Sequence, residues 1–232
     1  MNNAVHEIDS RAHWRVTIHP TRFDAERIAF DQLIPIVEKC TVELRGWDFP
    51  HFDKNAAPLR KLHHVEQTSH WQHHAERWMF FRSGLFTSIS TVASDWRDRS
   101  EWWPAPEGWT PGKTLGLFDV LWTYVEIYEF AARLSAAVPG DDSYRIKAVL
   151  GRLTGRRLDD DSAPGRFMFR GSTTVAAIDS FPLDRVHARE ALDADRSRYA
   201  AEAATDLYGR MGLTINVETA MEWIRLLKAG RL

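Results

Sequence analysis

TLGLFDVLWTYVEIYEFAARLSAAV, residues Thr114–Val138, decides the fold. Its polar side chains Asp119, Thr123, Glu126, Glu129 and Arg133 recur at helical spacing and fall on one narrow stripe. Leu115, Phe118, Leu121, Trp122, Val125, Tyr128 and Ala132 cover most of the remaining circumference. A helix that is apolar on nearly every face is buried on several sides, so this segment is the expected spine of the core. Pro139-Gly140 ends it, and Glu129 and Arg133 stand i,i+4 in the favourable order for a weak ion pair. The stripe carboxylates Asp119, Glu126 and Glu129 are acid–base or metal candidates. A solvated polar face gives the same pattern and is the preferred reading.

Working outward, Trp14–His19 alternates and is stopped by Pro20, a strand pattern. A helical stretch from Asp24 to Lys39, bent at Pro35, and a short strand Thr41–Arg45 follow. Three strand-like runs come next, Leu62–His70, Arg77–Phe81 and Leu85–Val92, the last two joined by Arg82-Ser83-Gly84, where glycine supplies the positive φ of a tight turn. Beyond the spine a second hairpin is expected, Tyr144–Leu153 with Arg166–Val175, carrying Asp159-Asp160-Asp161 near its tip. Two helices close the chain, one from Leu183 or Arg189 to Tyr208 and one from the N-cap Asn216 to Lys228. This order predicts an α+β fold, with antiparallel sheets around a long buried central helix and a helical C-terminal region. The expected division is a core domain over residues 1–180 and a C-terminal helical segment over 181–232, packed on that core.

At 232 residues, with 44% hydrophobic and 27% charged side chains, the chain is long enough for one substantial core. A formal charge of -2 gives no chain-wide electrostatic footprint for nucleic acid. Cys40 is the single cysteine, so no internal disulfide forms, and a reducing compartment fits. The start lacks the basic and apolar regions of a secretory signal, and the most apolar stretch is broken by charges. A cytoplasmic protein without a membrane partner is the expectation.

Familiar catalytic motifs fail on spacing. Gly112-Lys113-Thr114 opens the spine helix, but Glu107 stands where a phosphate loop needs its first glycine. His74-Ala75-Glu76 echoes the deaminase His-x-Glu, yet one cysteine cannot supply the later Cys-x-x-Cys. His63, His64, His70, His73 and His74 crowd one window, and His70, His73 and His74 form the alternative metal set. Solvated hairpin histidines are the default, so neither a metal nor a cofactor is expected. Helices flanking Gly209-Arg210-Met211-Gly212 faintly suggest helix-turn-helix, which Glu218 and Glu222 disfavour as a DNA reader.

Two segments remain as binding candidates. Ten Trp is a high count, and Trp96, Trp102, Trp103 and Trp109 are interleaved with Arg97 and Arg99, a pattern suited to anchoring a partner protein or stacking bases. The second is basic: Arg145, Lys147, Arg152, Arg156, Arg157, Arg166 and Arg170, opposed only by the tip aspartates, are phosphate candidates. The expected function is a non-enzymatic accessory or sensor module. Its partner is a protein at Trp102, Trp103, Arg97 and Arg99, or a nucleic acid at Arg152, Arg156 and Arg157. The alternative is a metal-dependent hydrolase or nuclease using the histidine window with Glu66, Glu76 or the spine carboxylates.

Arg45-Gly46-Trp47-Asp48-Phe49-Pro50-His51 resembles a motif of uncharacterised bacterial proteins. Their downstream pattern is similar to Trp78–Phe86 and Tyr128–Leu134 here, so the resemblance spans about the first three-fifths of the chain. It implies no established activity; some such proteins stand beside ATP-binding modules or modules ascribed DNA binding. Read physically, Gly46 breaks a strand, Trp47 and Phe49 bury, Pro50 stops pairing and Arg45 pairs with Asp48 across the bend: a structural corner.

Overall fold

The computed structural model describes residues 3–71, 74–99, 105, 107–159 and 174–231. After an amphipathic first helix, α1 (Asn3–Ser10), strand β1 (His13–Pro20) turns Trp14, Val16 and Ile18 into the core on the period of two. Helix α2 (Leu33–Cys40) is followed by a two-residue ladder, β2 (Val42–Glu43) with β3 (Asp48–Phe49). Then come β4 (Leu59–Arg60), β5 (His64–Trp71), β6 (His74–Phe81) and β7 (Phe86–Thr91). The short β8 (Thr114–Gly116) runs into the spine helix α3 (Leu117–Ala137). The chain ends with β9 (Ser143–Gly151), β10 (Arg157–Asp159), β11 (Ser180–Ala188), α4 (Arg189–Arg210) and α5 (Val217–Lys228).

Seven strands form one antiparallel sheet in the order β11–β9–β1–β7–β6–β5–β4. With five α-helices beside it among the described residues, this is an α+β fold. The β6–β7 turn carries Gly84 at φ +84°, with its N–H on the Phe81 carbonyl at 2.9 Å. Helix α3 is buried on most of its surface, including the polar positions Thr123, Glu126 and Ser135. Helix α4 packs along α3, and Glu129 ties three helices together by meeting Arg196 of α4 at 2.9 Å and Lys228 of α5 at 3.6 Å. Asn216 caps α5 by accepting from the Thr219 N–H at 2.7 Å.

Several expectations are corrected. The stretch 24–39 is not one bent helix: turns and a 3-10 segment, Phe30–Gln32, precede α2, and Pro35 sits in the first turn of α2, where no intrahelical N–H is needed. Thr114–Gly116 is strand rather than helix and pairs in parallel with β10. The expected hairpin partner of β9, residues 166–175, lies mostly outside the described residues; β9 pairs antiparallel with β1 on one side and with Ser180–Ala188 on the other. Residues 181–188 therefore belong to the main sheet. Pro182 is accommodated because β11 is an edge strand with no outer neighbour to receive an N–H.

Candidate functional site

The register across the sheet lays down a row. Ser69 of β5 is opposite Glu76 of β6, Glu76 opposite Ser90 of β7, and Ser90 opposite Trp14 of β1. All four are buried, so this is the inward face. Further along, the same row continues as Leu150 and Phe181, large and apolar. At the β5–β7 end it is built from small serines around one carboxylic acid. Small side chains leave space that Leu or Phe would fill, and a cavity of about 210 Å³ opens there.

The Arg45–His51 stretch closes this cavity from the side opposite the sheet. Pairing of Val42 with Phe49 and Glu43 with Asp48 makes the intervening residues a tight loop, with Gly46 at φ +82°. Phe49 pins the loop between Phe86 and Phe130, with ring centroids 6.3 and 5.7 Å away. Arg45 then reaches α3. Its Nε and Nη2 donate to Glu126 Oε1 and Oε2 at 3.0 and 2.9 Å, Nη1 donates to Asp119 Oδ1 at 2.5 Å, and Nη2 also meets Thr123 Oγ1 at 3.1 Å. This is the two-pronged guanidinium–carboxylate geometry of strong charge-assisted pairs.

Asp48 does not pair with Arg45, as the structural-corner reading expects. It meets His51 Nδ1 at 2.5 Å through Oδ1 and accepts from the Phe52 N–H at 3.0 Å through Oδ2. The Trp47 indole lies over the His51 ring at 4.1 Å and near the His74 ring at 4.6 Å. Its Nε1 is buried without a hydrogen-bond partner. Trp78 donates from Nε1 to the His51 carbonyl at 2.8 Å, fixing the far end of the loop to β6.

Burial governs the titration of the acids. Glu76 is only 2% exposed, and desolvation pushes its carboxyl up to about 8, against the opposing help of the His51 N–H and charge. Its Oε2 accepts from the His51 N–H at 3.3 Å and sits 3.4 Å from His74 Nε2, while Oε1 has no partner. Glu126 is pushed up to about 7 chiefly by burial, with Asp119 and Glu76 adding to it, against the opposing charge and hydrogen bonds of Arg45. Burial also disfavours charge at Asp48 and His51, but their mutual hydrogen bond and attraction outweigh it, lowering Asp48 and raising His51.

The α3 stripe is thus not a solvated face. Thr123 and Glu126 are buried, and with Asp119 they line the cavity. Of the histidine window, His74 lines it too. His70 instead points to Glu7 of α1 at 3.0 Å, His64 to Glu66 at 3.4 Å, and His73 lies outside the described residues. Among the described residues, no three His, Cys, Asp or Glu side chains converge as a metal site.

The other sequence candidates are dispersed. Trp102 and Trp103 lie outside the described residues, as does the Arg99 side chain. Arg97 is half-buried, and Trp96 is fully buried under the Arg11 guanidinium, 4.8 Å from its ring. Arg156 is turned inward: it is 3% exposed and forks Asp95, with both N–O distances at 2.6 Å. Arg152 donates to the Asp9 carbonyl at 2.5 Å, and Arg157 is exposed. Arg145 and Lys147 share Asp184, so the described part of the basic group is opposed by more than the tip aspartates. His51 carried no role in the sequence reading of the motif, and Glu76 entered only through the His-x-Glu echo and as a carboxylate for the histidine window in the alternative reading. The available signal was alternation: Glu76, Trp78 and Phe80 share one strand face, and two of the three are large core rings.

Compared with known proteins, the chain matches no family model, no curated protein and no solved structure.

Proposed function

We propose that the chain is a ligand-binding sensor module, and that its ligand is a small polar molecule held in the cavity between the Arg45–His51 loop, the β6–β7 strands and α3. One observation carries this reading: Glu76, 2% exposed, lines the cavity with Oε1 unpartnered. An unmade hydrogen bond on a buried carboxyl costs roughly 1–3 kcal/mol, which a bound ligand recovers. Aromatic walls from Trp14, Trp47 and Phe49 with a few converging polar groups are the usual composition of a small-molecule site. The same loop residues that resemble a shared motif supply the cavity wall, so the motif has a role beyond turning the chain.

The basic residues near β9 and β10 support a nucleic-acid role less well, because Arg145, Lys147 and Arg156 are already paired with carboxylates. A second reading, acid–base catalysis, is favoured by the raised Glu76 carboxyl two residues from His74 and bonded to the His51 backbone. The test is a metabolite-extract thermal-shift screen on the wild type and on Ser90→Val, which narrows the cavity beside Glu76 while leaving every carboxyl group in place. A stabilising fraction whose effect disappears in Ser90→Val supports the site. Stabilisation equal in both proteins places the ligand elsewhere. Chemical conversion of the bound compound moves the assignment to the catalytic reading.

A further inference from the structure

The acids around the cavity differ in how fully they are bonded. Asp48 takes His51, and Arg45 bridges Asp119 and Glu126. Glu76 is left with one backbone N–H and a 3.4 Å approach from the His74 ring. These four carboxyl groups border a space walled by Trp14, Trp47 and Phe49. Of these, Glu76 is the one that is both almost fully buried and incompletely bonded.

We propose that the cavity selects a small organic cation, an alkylammonium or amidinium group, seated against Glu76 Oε1 with the aromatic walls around its carbon framework. This rests on the reading of the cavity as the ligand site and adds the class of ligand. A cation supplies the counter-charge that Glu76 lacks, and aromatic faces attract cations through the ring quadrupole. An anionic ligand would meet Asp119 and Glu126 across the same small space. An uncharged ligand would fill the volume but bring no counter-charge to the buried Glu76 carboxylate.

The geometry also sets the proton balance. Neutral Glu76 keeps its proton until the cation arrives; the O–H bond then breaks, the carboxylate forms an ion pair with the ligand, and the proton leaves to solvent. The groups facing Glu76 are His74 from its own strand, Asp48 and His51 from the loop, and Arg45, Asp119 and Glu126 on the helix side. Because the free carboxyl titrates near 8, binding strengthens as pH rises toward that value and levels off above it.

The experiment uses the full chain and three probe sets in isothermal calorimetry: choline and methylguanidinium as cations, 3,3-dimethylbutan-1-ol as the uncharged isostere of choline, and acetate as the anion. Choline has no titratable proton in this range, so any pH dependence belongs to the protein. The expected result is binding of at least one cation and not of the isostere. Its Kd should fall by about tenfold per pH unit between pH 6 and 8, with about one proton released. Glu76→Gln, which mimics the neutral acid in shape, should flatten that slope and weaken cation binding, and Ser90→Val should abolish binding. Binding of the isostere or of acetate in preference, lost in Ser90→Val, overturns the cation and leaves the site standing. Cation binding unchanged in Ser90→Val overturns the site itself. No cation binding below roughly 10 mM, the limit of any useful affinity, overturns the proposal. Unchanged near-ultraviolet circular dichroism shows that each variant is folded.

Discussion

Arg45 and Glu126, 81 residues apart, are joined by two parallel hydrogen bonds of 3.0 and 2.9 Å that clamp the Arg45–His51 loop to the middle of α3. Glu126 is 3% exposed, so it depends on this partner for its charge. Removing one member of a buried pair strands the other.

Arg45→Ala should therefore destabilise the protein by about 3–5 kcal/mol at pH 8, where Glu126 must either be buried ionised or take up a proton against the solution pH. The loss should shrink toward pH 6, because Glu126, titrating near 7 with Arg45 present, takes up a proton more readily once the guanidinium is gone. Arg45→Met combined with Glu126→Leu should recover the part of the loss that comes from stranding Glu126, since an apolar pair of similar volume needs no desolvation, while Asp119 still loses its Arg45 contact. Urea unfolding at the two pH values checks both. Equal destabilisation at pH 6 and 8 would show that packing of the arginine stem, not its charge, holds the loop.

Asp95 and Arg156 form the second buried pair, 1% and 3% exposed. Asp95 also accepts from the Ala12 N–H at 2.9 Å and the Gly112 N–H at 3.0 Å, so it organises the entrance to β1 and the turn before β8. Asp95→Ala should cost about 3–5 kcal/mol, through an unpaired guanidinium and two unmet N–H groups. Arg157→Ala, one residue away and exposed, should stay within about 0.5 kcal/mol. Similar losses for Asp95→Ala and Arg157→Ala in denaturant melts would contradict the buried pair.

The spine was legible because apolar side chains fill nearly every face of residues 117–137, a signal carried within a single segment. The strand 180–188 was not: Pro182, Asp184 and Arg185 obscure its alternation, and only an edge position with one solvated face tolerates them. The site was half legible. Its loop stood out as a motif and its helix as a stripe of carboxylates, but sequence spacing joined Arg45 to Asp48 and gave the stripe to water. Those two errors are one contact seen from both ends. Charge complementarity between segments 81 residues apart leaves no periodic trace. A carboxylate stripe on an otherwise buried helix does, however, require a counter-charge, and Arg45 beside two aromatic residues was a suitable donor.

Leu121 and Val125 lie on α3 with 0% and 2% exposure. Leu121→Ala should cost about 2–5 kcal/mol, the transfer free energy of the lost methyl groups plus the cavity left in a helix enclosed by other elements. Val125→Ala, a smaller deletion, should cost less. Changes below about half a kcal/mol at both sites would show that the surroundings of α3 collapse freely around it.

Glu76 makes the stability of the empty protein fall with rising pH. Its folded-state value near 8 lies above the ordinary carboxyl value of 4.5, so between these limits the native state holds a proton that the unfolded chain has released. Stability then declines as pH rises, by up to about 1.4 kcal/mol per pH unit for one group, and the slope vanishes above the folded value. Asp48 opposes this only at lower pH, because its lowered carboxyl stabilises the fold above the ordinary aspartate range and loses that contribution on acidification. Glu76→Gln keeps the shape and the acceptor for the His51 N–H but has no proton to lose. It should match the wild type near pH 5 and exceed it increasingly from pH 6 to 8, read as denaturation midpoints across that range. Parallel pH profiles for the two proteins would mean that Glu76 is ionised in the folded state, and the cavity would then already hold the counter-charge that a ligand is proposed to bring.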